Sequence, residues 1–494
     1  MKTAVRIQTL ESALTTCTKF TPAPFCSSRR EKHTSTALTR RNIHSSPSRH
    51  SAVLTSAPPE ASPSLPPARS ASATSASGAL SALSTLPLSQ VLRTYLITAI
   101  SSSPTLLSAS SGVLRHMLES KNFLFSLDRN PLARAVLLET FYKQFCAGST
   151  ASEVAQRCQE LRQQGYAGVV LEYALEVLKD AEGNEAEDVA VWKQGMLSSV
   201  SMAQPGDFVA MKWSGMGPSA LKLCAAQQPP TKGMEDAMHA VCSAAAAKDI
   251  ALLPSAEETW NLEGYHKWTL DLQRVYNLRG KSVMYNTYQC YLQQTPRHVS
   301  EHLDIARKEG FTLGAKLVRG AYLASEPRHL IYPTAEATHH AYDAVMRGLI
   351  ERKYNDVLQP TSATSGAQED WPSVNILVAS HNLATVTLAQ RLRQSQLSSN
   401  IPLTPLVYSQ LQGMASEVSY ALIAAARKAE ATGEEKVLRE KVFSFTNWGT
   451  MPQCLNYLLR RAAENKDAAG RTADTRKAMG KEIGRRVRGA VGLA

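Results

Sequence analysis

From residue 168 to residue 449 the chain repeats one pattern: a short run of apolar and β-branched residues, followed by a longer stretch of helical character. The runs are GVVLEY (168–173), DFVAMKW (207–213), DIALLPSAE (249–257), KSVMYNTYQ (281–289), GAKLVRGAY (314–322), VNILVASHN (374–382), PLVYSQLQGM (405–414) and KVFSFTNWG (441–449). Near-continuous apolar strands that alternate with helices belong to parallel sheets, and eight such units predict an α/β fold of the (β/α)8 TIM-barrel type. The barrel is expected over residues 161–494, ending in a C-terminal helix. A helical N-terminal extension is expected over 90–160, where Ala133 to Phe145 shows helical periodicity. The stretch QPTSATSGAQEDWPS, between the fifth and sixth runs, reads as a surface insertion.

Ahead of these elements the pattern disappears. Residues 55–89 are mostly Ser, Ala and Pro, too poor in apolar side chains to bury a core, and read as a linker. Residues 1–54 carry nine Lys and Arg against Glu11 and Glu31, with abundant Ser, Thr and Ala, the composition of a mitochondrial transit peptide. The net charge of +12 therefore falls to about +5 without this segment, too little to argue for nucleic acid. The remaining basic excess lies near the C-terminus, at Lys481, Arg485, Arg486 and Arg488, and reads as a solvated helix end or a contact with an anionic membrane. No apolar run is long enough to span a bilayer; the best stretch, Tyr95 to Leu114, is broken by Ser101, Ser102, Ser103 and Pro104. The eight cysteines form no C-x-x-C and no pairing with histidine, which excludes a disulfide framework and a zinc site.

Chemistry in a barrel of this type sits at the C-terminal strand ends. Those ends supply Glu172, Lys212, Gln289, Lys316, Arg319, Tyr322, His381, Asn382 and Gln410. After the eighth run, YLLRRAAEN (457–465) sets two adjacent arginines on a helix. Arg460 and Glu464 lie one turn apart there, and the pair of guanidinium groups suits a carboxylate or phosphate. Gly215-Met216-Gly217-Pro218-Ser219-Ala220 fits the dinucleotide-binding pattern G-x-G-x-x-A, yet Pro218 is awkward where amides must bind pyrophosphate, and the motif follows the second run instead of the first.

Five segments in order, YNTYQCYL (285–292), GAKLVRGAYLASE (314–326), VASHN (378–382), QLQGM (410–414) and YLLRRAAEN (457–465), resemble the proline dehydrogenase family, and AMKWSGMG (210–217) is similar to its lysine strand. The resemblance covers roughly residues 90–490. It implies an FAD-dependent barrel at the matrix face of the mitochondrial inner membrane, peripherally attached, that oxidises L-proline to 1-pyrroline-5-carboxylate and passes electrons to ubiquinone. By motif, Arg460, Arg461 and Lys212 would hold the substrate carboxylate, Tyr322 would line the pocket, Leu411 would pack near the ring, and Glu464 would orient the arginines. Gln289, Lys316, Val318, Arg319, Gly320, Ala321, His381 and Asn382 would contact FAD, with Gly320 letting the backbone approach the cofactor.

Two positions depart from the family's pattern. The third strand usually ends in Asp-Ala-Glu and here reads Ser255-Ala256-Glu257; the eighth usually carries a tyrosine where Phe445 stands. Both lost groups belong to the substrate pocket in the family, which leaves hydroxyproline or another cyclic imino acid as an alternative substrate and a weakly active flavin-binding paralogue as an alternative role.

Overall fold

The structure is a computed structural model that describes residues 82–120, 122, 130–174, 183–361, 371–433, 437–464 and 469–492. The expected transit peptide, most of the expected linker and the core of the 359–373 insertion lie outside these residues.

Eight parallel strands form the barrel: β2 (Gly168–Tyr173), β3 (Phe208–Met211), β4 (Ala251–Pro254), β5 (Asn286–Gln289), β6 (Leu313–Val318), β7 (Val374–Ala379), β8 (Leu406–Leu411) and β9 (Val442–Trp448). They run β4-β3-β2-β9-β8-β7-β6-β5 around the sheet, and a three-residue strand, β1 (Cys146–Gly148), adds to β9 in parallel. Each barrel strand is followed by helix, so the expected barrel topology is the observed one.

The ring closes between β4 and β5 through a single parallel bridge, Leu252 to Met284, with Leu252 N donating to Val283 O at 2.6 Å and Tyr285 N to Leu252 O at 2.9 Å. The fourth run was expected to be strand from residue 281 and pairs with β6 only from Asn286. The reason is Asn277, fully buried, whose Oδ1 accepts the amides of Val283 and Met284 and whose Nδ2 donates to Met284 O and Thr312 O. Amides held by a side chain are not available to a ladder.

Alternation along the strands separates two apolar regions. Val170, Phe208, Ala210, Leu253, Tyr285, Leu377 and Phe443 fill the barrel interior, with Phe208 edge-on to Phe443 at 4.9 Å. Leu317, Val378 and Tyr408 belong to the core on the other side, together with helical residues such as Tyr342, Val345 and Leu422.

Part of the expected linker is structured. Leu83 and Leu86 are buried within the expected linker, next to the helix Leu88–Ser101. Arg486 Nη2 donates to the carbonyls of Leu83, Ser84 and Leu86, while its Nε and the Arg485 guanidinium share the buried Glu482. This end of the C-terminal helix Ala469–Ala490 is therefore a clasp on residues 83–86, where a solvated basic end was one expected reading.

Behind β5, three buried histidines stack between two helices. His266 lies on Thr259–Tyr276; His298 and His302 lie on Thr295–Glu309, with ring centroids 5.1 Å and 5.0 Å from His266. Both His266 nitrogens are buried without a hydrogen-bond partner, His298 Nε2 meets Glu263 at 3.0 Å, and His302 Nδ1 lies 2.8 Å from the Tyr288 hydroxyl and 3.5 Å from Asn286 Nδ2. Burial pushes His302 down to about 3, helped by the His298 and Arg274 charges. Burial and the two neighbouring histidines push His266 well below its ordinary value, against the pull of Glu263. Above about pH 6.5 both folded and unfolded chains keep these rings neutral, and no stability depends on them. Below it only the unfolded chain takes up the protons, so stability falls as pH drops, by about 1.4 kcal/mol per pH unit for each ring. Urea unfolding at pH 5.5 should give a free energy lower than at pH 7.5 by about 2–3 kcal/mol. In His266→Phe that gap should narrow by roughly half; an unchanged gap would place the titration elsewhere.

Candidate active site

Lys316 projects from β6, where its strand neighbours Ala315 and Leu317 are fully buried, and only 5% of its surface is exposed. Its ammonium lies 5.5 Å from the centre of the Phe445 ring on β9. Among the described residues no carboxylate comes within ion-pair distance of it. Burial pushes the amine down to about 8, against the pull of Glu172 and with the Lys212 charge adding to the shift. Glu172, at the end of β2, is itself buried; its Oε1 accepts the Ser255 hydroxyl at 3.0 Å, and its Oε2 is buried without a partner. A desolvated cation and a half-satisfied carboxylate thus face the same end of the barrel, each short of the contacts that such burial demands.

Arg319 closes β6 in a different way. Its guanidinium lies over the Tyr342 ring at 4.5 Å, and its three nitrogens donate to His339 Nδ1 at 2.9 Å, Ser380 Oγ at 2.9 Å and Thr385 Oγ1 at 2.8 Å. Three of its five N–H groups are committed, which leaves one on each terminal nitrogen. Thr385 sits in the first turn of the helix Leu383–Ser398, and its hydroxyl donates a hydrogen bond to Asp343 Oδ1 at 2.6 Å. A fixed guanidinium beside the start of a long helix is a good place for an anion.

Gln289 ties three strand ends together: Nε2 donates to Glu257 O at 2.6 Å and Oε1 accepts the Ala321 amide at 3.4 Å. The carbonyls of Val318 and Arg319 accept the amides of Cys290 and Tyr291, so the β6 end runs alongside the β5 end. Gly320 has φ +156°, and a Cβ there would meet the Tyr291 ring at 2.3–2.5 Å. The glycine is required by Tyr291, whereas the sequence suggested approach to a ligand. On β7's loop the His381 Nε2 accepts the Leu411 amide at 3.1 Å, which orients the ring and fixes Leu411 beside it. Asn382 Oδ1 caps the following helix through the Thr385 amide.

Tyr322 leans back across the mouth, its hydroxyl donating to Ala256 O at 2.9 Å. Lys212 begins the short 3-10 turn Trp213–Met216, and its carbonyl is held by Trp192 Nε1 at 2.9 Å. Arg460 is half-buried on the helix Met451–Glu464. The side chains of Arg461 and Glu464, on the same helix, lie outside those described. The Gly215–Ala220 motif forms no phosphate loop: a Cβ on Gly217 would meet Asp188 Oδ2 at 2.3 Å, so an acidic side chain occupies the approach that pyrophosphate would need.

Sequence reasoning placed Glu172 at a strand end and gave it no role. A carboxylate inside the otherwise apolar GVVLEY was the available signal. Of the two positions that depart from the family's pattern, Ser255 bonds to Glu172 and Phe445 faces Lys316.

A family model described as proline dehydrogenase matches residues 154–474. The chain belongs to the proline dehydrogenase family. It is 32% identical over 248 residues to the probable mitochondrial proline dehydrogenase of Schizosaccharomyces pombe, covering 50% of this chain and 49% of that one. It is 31% identical over 260 residues to human mitochondrial proline dehydrogenase 1, covering 51% and 38%. These matches span about half or less of the relatives' length. Rat hydroxyproline dehydrogenase is 25% identical over 418 residues, 72% of this chain and 84% of that one. Among solved structures, proline utilization A of Bdellovibrio bacteriovorus superposes with a TM-score of 0.57 at 15% identity, over 80% of this chain and 41% of that one, a likeness of fold.

Two outcomes follow from the charges in the mouth. Lys316→Met removes a cation whose burial costs on the order of 3 kcal/mol when no anion is bound. The ligand-free protein should then melt at a higher temperature than the wild type, as read by calorimetry; a lower melting temperature would mean that the ammonium is already satisfied. Ser255→Asp should place a second carboxylate against Glu172, so the substitution should destabilise above about pH 5 and do much less near pH 4, where one of the two is protonated. Stability that does not depend on pH across that range would show that the two side chains do not meet in solution.

Proposed function

We propose that this protein is a mitochondrial FAD-dependent enzyme that oxidises L-proline to 1-pyrroline-5-carboxylate in proline catabolism and passes the electrons to ubiquinone. The observation that carries this reading is a buried ammonium, Lys316, and a buried carboxylate, Glu172, that feel each other's charge without forming an ion pair, with the Phe445 ring face beside the ammonium. A small zwitterionic ring suits such a mouth: its acid is drawn to the cations, its ammonium finds the bare Glu172 Oε2, and its methylenes meet Phe445 and Leu411.

The residues present fit FAD. Arg319 and the first turn of the helix Leu383–Ser398 supply fixed donors for phosphate, with two guanidinium N–H groups still unspent. Gln289, Val318, Gly320, Ala321 and His381 line the adjoining strand ends, Asn382 lies at the helix start, and Lys316 provides a cation for a ring system that gains negative charge on reduction. When bound, FAD would accept a hydride from the ring carbon next to the substrate nitrogen. The protein's own part is positioning: Lys212, Arg460 and Arg461 hold the carboxylate, Glu464 orients the arginine pair, and Tyr322 and Leu411 close the pocket around the ring.

A mitochondrial location is supported by the basic N-terminal segment and by the relatives whose names carry it. Among the described residues no helix is long and apolar enough to cross a membrane. Peripheral attachment is supported by two exposed stripes: Leu88, Leu92 and Leu96 on one helix, and Lys477, Lys481, Arg485 and Arg488 on the helix packed against it.

Substrate choice follows from the mouth. Glu172 Oε2 can accept from a ring ammonium and, more weakly, from a ring hydroxyl, which keeps hydroxyproline as the second reading. The test is anaerobic addition of proline, hydroxyproline and pipecolate to the purified protein, followed by loss of the visible flavin absorbance. Proline should bleach it most rapidly; no bleaching by any of the three would make the protein a binding paralogue. Arg461→Met should leave FAD bound and raise KM for proline, with a loss on the order of 2–5 kcal/mol in kcat/KM. Unchanged kcat/KM would remove Arg461 from the carboxylate clamp.

A further inference from the structure

The N-terminal extension reaches the mouth through one buried strap, residues 142–148, that touches two of the loops around the site. On one side Gln144, 2% exposed, donates from Nε2 to Gly413 O at 3.1 Å, and Gln412 Nε2 returns bonds to the carbonyls of Gln144 at 3.1 Å and Cys146 at 3.2 Å. Gln412 and Gly413 directly follow Leu411. On the other side the Tyr142 hydroxyl donates to Gly449 O at 2.8 Å, and Gly449 N donates to Gly148 O at 3.0 Å. Gly449 lies two residues ahead of the helix that carries Arg460 and Arg461.

The strap is rigid at both contacts. Arg93 Nε donates to Gln144 Oε1 at 3.0 Å, and Gln144 Nε2 also donates to Thr94 Oγ1 at 3.0 Å; the amide is thereby oriented with its nitrogen toward Gly413. Gly413 has φ +78°, and a Cβ there would come within 2.5 Å of Gln144 O, a backbone atom that cannot swing aside. Backbone thus presses on backbone at one end, and a buried tyrosine bonds to backbone at the other.

We propose that this strap is a spacer that sets the distance between the apolar wall at Leu411 and the carboxylate clamp on the helix Met451–Glu464, with Gln144 and Tyr142 as positioning residues. The inference rests on the proline-binding reading of the site. A ligand that uses both anchors feels the spacing, and a ligand that uses one does not; a misplacement of about 1 Å between anchors is worth orders of magnitude in a reaction that depends on orientation.

The test uses the FAD-loaded enzyme and two ligands that are not oxidised: tetrahydrofuran-2-carboxylate, which carries both ring and acid, and acetate, which carries the acid alone. Their dissociation constants are read from perturbation of the flavin spectrum. In Gln144→Leu, and in Tyr142→Phe, which removes one oxygen and keeps the ring, the constant for the ring acid should rise about tenfold while that for acetate stays within about twofold. Parallel weakening of both ligands in both variants would mean general loosening, and unchanged binding of both would mean that the strap is inert; either result overturns the proposal. Wild-type enzyme that binds neither ligand would show that the carboxylate clamp itself is misassigned, and the spacer would fall with it.

Discussion

A lysine ammonium buried inside a barrel governs the character of this site. Water is the cheapest partner a cation has, and Lys316 has given most of it up. The structure offsets that loss only in part, through the Phe445 ring face and the field of Glu172, and burial still dominates the balance. Glu172 is in the converse position: one oxygen is met by Ser255 and the other is buried and bare. Two opposite charges held short of full compensation make a mouth that gains by admitting a small charged ligand, and no nucleophile is needed for that gain. Where Lys316 is under-satisfied, Arg319 is held at all three nitrogens by His339, Ser380 and Thr385 and keeps two N–H groups for a ligand. One strand end thus supplies a responsive cation and, three residues later, a fixed one.

The barrel alone does not complete the site. The loops after β8 and β9 are held by an extension that is itself fastened to the C-terminal helix. Arg486 clasps residues 83–86, the helix Leu88–Ser101 orients Gln144 through Arg93 and Thr94, and Gln144 meets the loop after Leu411. Each link is a buried or part-buried hydrogen bond to a backbone carbonyl or between side chains, and such a contact costs more the deeper the partner left behind is buried. The extension is therefore continuous with the site, although no residue of it was a candidate for chemistry.

The sequence by itself determined the fold. Eight apolar runs with helices between them have few other solutions, because strands buried on both faces require helices to cover them. Ordered motifs at the strand ends placed the chain in its family and named Lys316, Arg319, Gln289 and His381 as neighbours, since the C-terminal ends of a closed parallel barrel must meet. Tertiary structure decided which neighbour each group faces. Ser255 turns to Glu172, Gly320 is demanded by Tyr291, and Asn277 takes the amides that would have begun β5. The same is true of Leu83 and Leu86: in a Ser- and Pro-rich stretch they look like isolated apolar residues, and only a helix arriving from the other end of the chain gives them a core to enter. Periodicity reports which face of an element is buried. It carries no information about partners hundreds of residues away, because those contacts depend on side-chain direction and register that exist only once the barrel has closed.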